Sequence, residues 1–235
     1  YLAKRGESVS VRVDKKEQLR IPFINLDGIV CFGRVGCSPR LFGACASNGV
    51  TISFLTTYGK FLAAVVGYTS GNVLLRRAQY RIADTEEKSA AIVRNIVAAK
   101  LANCRSVLMR GARDSKDKEA SEILNATAKL LIPALKKARD SNDTNVIRGY
   151  EGSSARMYFN GFNSLLKREY GFIMNGRTRR PPLDPTNALL SFIYSLLCHD
   201  LRSACEASGL DSSVGFLHRD RPGRPSLALD LMEEF

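Results

Sequence analysis

Two hydrophobic periods divide the chain. In SVSVRVD, residues 8–14, apolar and polar side chains alternate, which predicts a half-buried strand. Lys15-Lys16-Glu17 reads as a short turn, after which Leu19, Ile21 and Phe23 continue the alternation. GIVCF, residues 28–32, is a short apolar run, and residues 50–55 and 61–66 read as further strands around a turn at Tyr58-Gly59-Lys60. Ser38-Pro39 supplies a cap and a first-turn proline for a helix to Ala46, which Asn48-Gly49 ends. Short, close-set strands with one helix predict a small β-rich domain over residues 1–70, built as a sandwich or a roll.

Beyond residue 70 the period lengthens to that of a helix. Thr69-Ser70-Gly71-Asn72 has capping chemistry and marks the boundary. NVLLRRAQYRIA reads as helical, with Arg76, Arg77 and Arg81 on or near one face. Residues 85–112 carry Ile92, Val93, Ile96 and Val97 at helical spacing, and a charged break at 114–119 follows. Residues 123–137 predict another helix, which Pro133 is expected to kink or interrupt. Ser141-Asn142-Asp143-Thr144 caps a helix over about 145–170. After the break NGRTRRPPLDP, Asp184-Pro185 opens the apolar helix NALLSFIYSLLCHDLRSACEA, and Gly209 closes it. Pro225 opens a last helix. The fold class is therefore α+β: a small N-terminal β-rich domain, 1–70, followed by a larger all-α domain, 71–235.

Composition narrows the function classes. Apolar residues make up 45%, enough for a real core, and no apolar run approaches the ~20 residues of a membrane span. The six cysteines form no CxxC pair, so they read as reduced, mostly buried thiols of a cytoplasmic protein. The net charge of +12 favours polyanionic partners, nucleic acid first. It is unevenly spread. Residues 1–72 hold nine basic against four acidic side chains and residues 73–150 sixteen against nine, whereas residues 151–235 hold ten of each. The acids are thus concentrated among arginines in the neutral last third.

That third carries the candidate chemistry. HRDRPGRPSLALDLMEEF, residues 218–235, begins with His218, one of two histidines. Arg219, Arg221 and Arg224 follow in a basic loop. On the helix, Asp230 and Glu233 share one face, and Leu227, Leu231 and Phe235 form the other. One imidazole and two or three carboxylates beside arginines make a possible divalent-metal site next to a polyanion. Taken alone, the segment is better explained as an amphipathic surface helix with solvated acids. In GYEGSSARMYFNGF, Glu151 stands between Gly149 and Gly152, and the small residues predict a close helix crossing around a buried carboxylate. The plainer alternative there is a surface acid at a crowded crossing. Arg177, Arg179 and Arg180 crowd into a proline-stiffened loop suited to gripping phosphate, and a merely solvated loop is as good an explanation. His199 reads as structural.

Three segments together, GYEGSSARMYF, NGRTRRPPLDPTNALLSFIYSLL and VGFLHRDRPGRPSLALDLMEEF, resemble the CRISPR-associated integrase and endonuclease of spacer acquisition, the universal adaptation protein, of the I-C type. GNVLLRRAQYRIAD and LRIPFINLDGIVCFG also fit, so the resemblance spans nearly the whole chain. Family members begin earlier and continue past EEF, so both ends are expected to be missing here. The resemblance implies a dimerising β-rich domain and an all-helical catalytic domain. It implies one divalent metal, Mn²⁺ or Mg²⁺, held by Glu151, His218 and Glu233, with Asp230 sharing ligation or supporting it. It also implies Arg221 at the family's basic position after the histidine. The expected partners are double-stranded DNA and a small adaptation protein whose dimer is flanked by two dimers of this chain. The rivals are a structure-selective DNA nuclease acting by hydrolysis and a non-catalytic basic DNA-binding scaffold, which predicts acids that do not converge in space.

Overall fold

The computed structural model describes residues 1–67, 72–179 and 181–235. The chain divides into two compact units, Tyr1–Asn72 with Arg202–Leu210, and Val73–Leu201 with Asp211–Phe235. The first is β-rich and the second mostly helical, as the α+β reading expects. The capping stretch assigned to the boundary, Thr69-Ser70-Gly71, lies outside the described residues.

The first unit holds two three-stranded sheets. Strands β1 (Leu2–Arg5), β2 (Ser8–Val13) and β3 (Lys16–Pro22) form an antiparallel meander. The β2–β3 connection is the two-residue turn Asp14-Lys15, with φ of 49° and 66°. Positive φ at both central residues gives a twist that matches the flanking strands. Leu19, expected inward, stays 52% exposed, while Phe23 at the end of the run is buried. Strands β4 (Gly28–Phe32) and β5 (Thr51–Leu55) pair in parallel across helix α1 (Pro39–Ser47), and β5 pairs antiparallel with β6 (Phe61–Val65). Ser38 Oγ accepts the Leu41 N–H, and Gly49 takes φ +71° after the helix, so both end signals act as the sequence indicates. Leu2, Val9, Phe23, Cys31, Leu41, Cys45, Val50 and Ile52 form the core.

Among the described residues, none of the six cysteines forms a disulfide. Burial, reinforced by the neighbouring Cys31 thiol, pushes Cys37 up to about 12. A thiol so raised stays protonated at neutral pH and is a poor nucleophile. Iodoacetamide at pH 8 is therefore expected to leave Cys37 unmodified in the native protein and to label it on denaturation, as peptide mass spectrometry would record.

The second unit is built on three helices, α3 (Glu86–Asp114), α4 (Lys118–Asp140) and α5 (Thr144–Gly161), preceded by α2 (Val73–Ala83). Asp117 and Asp143 cap α4 and α5 through their carboxylates. The buried stripe of α3 runs Val93, Ile96, Val97, Leu101, Leu108 and Ala112, and meets Leu124, Ala128 and Leu131 of α4 and Ile147 of α5. Pro133 does not interrupt α4. It lies on the exposed face, where water can satisfy the carbonyl that loses its amide partner. The helix expected over 145–170 stops at Gly161, and two short 3₁₀ turns take over. Helix α6 (Pro185–Ser208) follows, its last turns from Arg202 belonging to the first unit, and α7 (Ser226–Met232) comes last. No helix among the described residues is long and apolar enough to cross a membrane.

Candidate active site

The loop before α7 is fixed from three directions, which sets the position of His218. Gln79 of α2 is buried, donates to the carbonyls of Asp211 and Val214 at 2.8 Å each, and accepts the Asp211 N–H at 2.8 Å. Arg148 of α5 donates to the Leu217 carbonyl at 2.5 Å. Leu217 itself is buried against Val93, Ile96 and Val97. The third hold is Asp230, fully buried on α7. Its Oδ2 accepts the Phe216 N–H at 2.5 Å and the Leu217 N–H at 2.9 Å, and its Oδ1 accepts the His218 N–H at 2.8 Å. Gly215 makes this approach possible, because a Cβ there would lie 2.8 Å from Asp230 Oδ2.

Asp230 also sets the histidine. Its Oδ1 lies 2.7 Å from His218 Nδ1, so the ring donates there and, when neutral, keeps its lone pair on Nε2. Nε2 points to Glu233, 3.8 Å from Oε1. Glu233 caps the C-terminus of α7. Its other oxygen pairs with the ammonium of Lys100 on α3, and the same ammonium pairs with Glu151 Oε1 on α5. Glu151 and Glu233 thus meet at one ammonium, and His218 Nε2 faces the second oxygen of Glu233. Asp230 holds the loop and the ring. The donors gathered in this neighbourhood are two carboxylates and one imidazole nitrogen, a set that suits a hard divalent cation better than zinc. As the side chains stand, no group of three His, Cys, Asp or Glu among the described residues is arranged to hold a metal. The positive charge between the carboxylates is that of Lys100.

Sequence reasoning passed over Lys100, although a signal was present. It falls on the buried stripe of α3, three and four residues after Val97 and Ile96 and one before Leu101, where an apolar residue is expected. Burial opposes its charge, but Glu233 and Glu151 outweigh that and raise its pKa above the ordinary lysine value.

The glycines beside Glu151 do not serve a close crossing. A Cβ at Gly149 or Gly152 would meet nothing within 4 Å, and both positions are exposed. They leave the surface of α5 flat next to the carboxylates. Replacing both by alanine is expected to stabilise the protein by about 1–2 kcal/mol, since each glycine costs a helix interior about 1 kcal/mol. A urea-midpoint increase at constant m-value would register it.

The arginines separate. Arg219 is exposed and donates to Asn145 Oδ1 at 2.9 Å, the oxygen that Arg148 Nη1 also reaches. Burial, and then Arg219 beside it, lowers the Arg148 pKa from its ordinary value, so the pair favours an anion nearby. A cleft of about 560 Å³ opens there, lined by Tyr80, Arg148, Asp211, Phe216, His218 and Arg219. Arg221 is exposed and Arg224 half-buried, around a turn with Gly223 at φ +74°. Arg177, expected to grip phosphate, turns inward instead. It donates to the Thr178 carbonyl at 2.7 Å and to Asn187 Oδ1 at 2.9 Å, and lies over the Tyr194 ring. Its guanidinium shapes the loop, and the expectation of a free phosphate grip at Arg177 is corrected accordingly. Arg179 is exposed, and Arg180 lies outside the described residues. Phe235, expected to pack inward with Leu227, is 82% exposed because α7 ends at Met232.

The family model described as CRISPR associated protein Cas1 matches residues 1–235. The chain belongs to that family. A relative from Chlorobaculum tepidum, named CRISPR-associated endonuclease Cas1 1, is 48% identical over 236 residues, which is 100% of this chain and 69% of the relative. The solved CAS1 protein from Thermotoga maritima superposes with a TM-score of 0.81 at 26% identity, covering 100% of this chain and 71% of that one. A casposase bound to integration product matches with a TM-score of 0.76 at 25% identity, over 99% of this chain and 66% of that one. A Cas6-RT-Cas1–Cas2 complex contains a chain that matches with a TM-score of 0.77 at 26% identity, over 99% of this chain and 25% of that one. The matches carry the Cas1 family and leave the I-C subtype an expectation of the sequence motifs.

Proposed function

We propose that this Cas1 chain inserts short DNA duplexes into a CRISPR repeat by divalent-metal-dependent strand transfer, with Glu151, His218 and Glu233 as the ligand set. The observation that carries this reading is the convergence of Glu151 and Glu233 on the Lys100 ammonium, with His218 Nε2 facing Glu233. A scaffold would have no reason to gather two acids and an imidazole from three elements in one neighbourhood. The name of the Chlorobaculum relative and the integration product bound by the casposase support a phosphodiester reaction of this kind.

When bound, Mn²⁺ or Mg²⁺ supplies electrostatic stabilisation at the reacting phosphoryl group. The residues of the chain do the positioning. Asp230 fixes the His218 tautomer so that Nε2 faces the site. The exposed Arg219, Arg221 and Arg179, with Arg224 beside them, would neutralise flanking phosphates. The flat surface at Gly149 and Gly152 leaves room for a duplex next to the acids. In the step itself, the 3′-hydroxyl of the incoming duplex forms a new P–O bond to a repeat phosphate. The bond from that phosphorus to its own 3′-oxygen breaks, and the hydroxyl proton passes to the leaving oxygen. With water in place of the 3′-hydroxyl the same site hydrolyses DNA, the reading that the name endonuclease favours. We take homodimers of this chain, flanking a dimer of a small Cas2-type partner, as the working assembly in a cytoplasmic reaction.

The test is an integration assay with the partner protein, a duplex bearing 3′-hydroxyls and a repeat-bearing plasmid. Covalent joining is expected with Mn²⁺ or Mg²⁺ and none with chelator. Nicking without joining would favour hydrolysis, and joining in the presence of chelator would overturn the metal reading.

A further inference from the structure

The Lys100 ammonium lies between Glu151 and Glu233, the two acids of the proposed ligand set. Its stem runs along the buried stripe of α3, so the charge is delivered from the interior and not from a loosely attached surface chain. It contacts one oxygen of each acid, joining α3, α5 and the end of α7. Without it, two partly buried carboxylates would face each other uncompensated, which is costly. With it, a divalent cation approaching the same two acids meets a positive charge already in contact with one oxygen of each, which opposes its binding. Cys104, one turn further along α3, adds no third anion, since burial raises its pKa and keeps it a thiol.

We propose that Lys100 is a displaceable counterion: it holds the ligand set assembled in the metal-free protein and swings out when a divalent cation binds. The proposal rests on the metal reading of Glu151, His218 and Glu233. The exchange accounts for acids that converge while no three ligands among the described residues stand ready for a metal. It makes the site selective by charge, because a monovalent ion gains nothing by replacing an ammonium of equal charge, whereas a doubly charged ion does. The lysine's four-carbon stem is flexible enough for the ammonium to leave without moving α3. The released ammonium is then a free cation beside a polyanionic substrate.

Two measurements on the intact chain test this. In the first, wild-type protein is acetylated with an N-hydroxysuccinimide ester in chelator and in saturating Mg²⁺, and Lys100 modification is followed by peptide mass spectrometry. Protection in chelator and at least about tenfold faster modification with Mg²⁺ are expected, because a paired ammonium is unavailable as the free amine. In the second, Mg²⁺ binding is titrated calorimetrically into wild type and Lys100→Met. Removing a competitor that occupies the acids more than nine-tenths of the time should tighten binding at least about tenfold. Metal binding with unchanged Lys100 reactivity, or with equal or weaker affinity in Lys100→Met, would overturn the counterion role alone. Absence of Mg²⁺ binding to the wild type would bring down the ligand assignment first and this proposal with it. The wild-type acetylation keeps the test decisive even if the methionine variant folds poorly.

Discussion

Glu151→Gln is expected to reduce strand transfer by at least about a thousandfold while leaving duplex binding within a few fold. The amide keeps the shape of the side chain and removes the negative charge that pairs with Lys100 and that a metal requires. Electrostatic stabilisation by a bound metal is worth several kcal/mol of barrier, and each 1.36 kcal/mol is tenfold in rate. On the proposed reading DNA affinity would come mainly from arginines and lysines elsewhere, so a filter-binding or polarisation measurement should change little. Glu151 sits at a partly exposed position of α5 between two glycines with open space beside them, so the substitution has no core to disturb. Retention of even a tenth of wild-type joining would remove Glu151 from the reaction.

Asp230→Ala has the second large effect, and its signature differs. This carboxylate is fully buried and accepts three backbone N–H groups besides the His218 ring. Deleting it leaves those donors without an acceptor in the interior, at a cost of about 3–5 kcal/mol, the range found when one partner of a buried charged pair is removed. For a chain of this size that is roughly 10 °C in melting temperature. Activity should fall too, because His218 loses the contact that fixes its tautomer. Asparagine does not repair the site. Both carboxylate oxygens face N–H donors, so whichever way the amide is placed, its NH₂ points at a donor. A calorimetric melt in chelator separates the two predictions: Asp230→Ala melts early, and Glu151→Gln does not.

Local signals carried most of the fold. The period-two run at 8–14, the apolar runs near 28 and 50, and the Ser38-Pro39 and Asn48-Gly49 signals each translated into an element, because strands and caps depend on neighbours in sequence. Strand β1 escaped notice: four residues are too few to establish a period, and Leu2 and Ala3 are buried only through its pairing with β2. The end of α5 was placed too late because nothing between Gly161 and Tyr170 breaks a helical pattern outright. Of the two outcomes expected at Pro133, interruption does not occur, because a proline on an exposed face need not stop a long, well-packed helix.

At the site, sequence likeness pointed to candidate residues but could not rank them. Asp230 and Glu233 lie three apart on one helix and look interchangeable on paper. Position relative to the 216–218 backbone makes one a buried acceptor and the other a ligand candidate, and the loop leading into that backbone is anchored at Asp211 by Gln79, 132 residues away. Lys100 was legible only as a charged residue on an apolar stripe, and its meaning depends on two acids more than fifty residues away. Gly149 and Gly152 were legible as unusual, but whether they admit a neighbouring helix or leave open space is a question of tertiary packing.

The central claim is that Glu151, Glu233 and His218 share one divalent ion. Calorimetric titration of Mn²⁺ into the wild-type chain, Glu151→Gln and Glu233→Gln tests it most directly. One site per wild-type chain is expected, with affinity at least about tenfold weaker in each acid variant, given that even outer-shell substitutions at metal sites cost 10–100-fold. Equal Mn²⁺ affinity in all three proteins would contradict it, because the ion would then be held somewhere else.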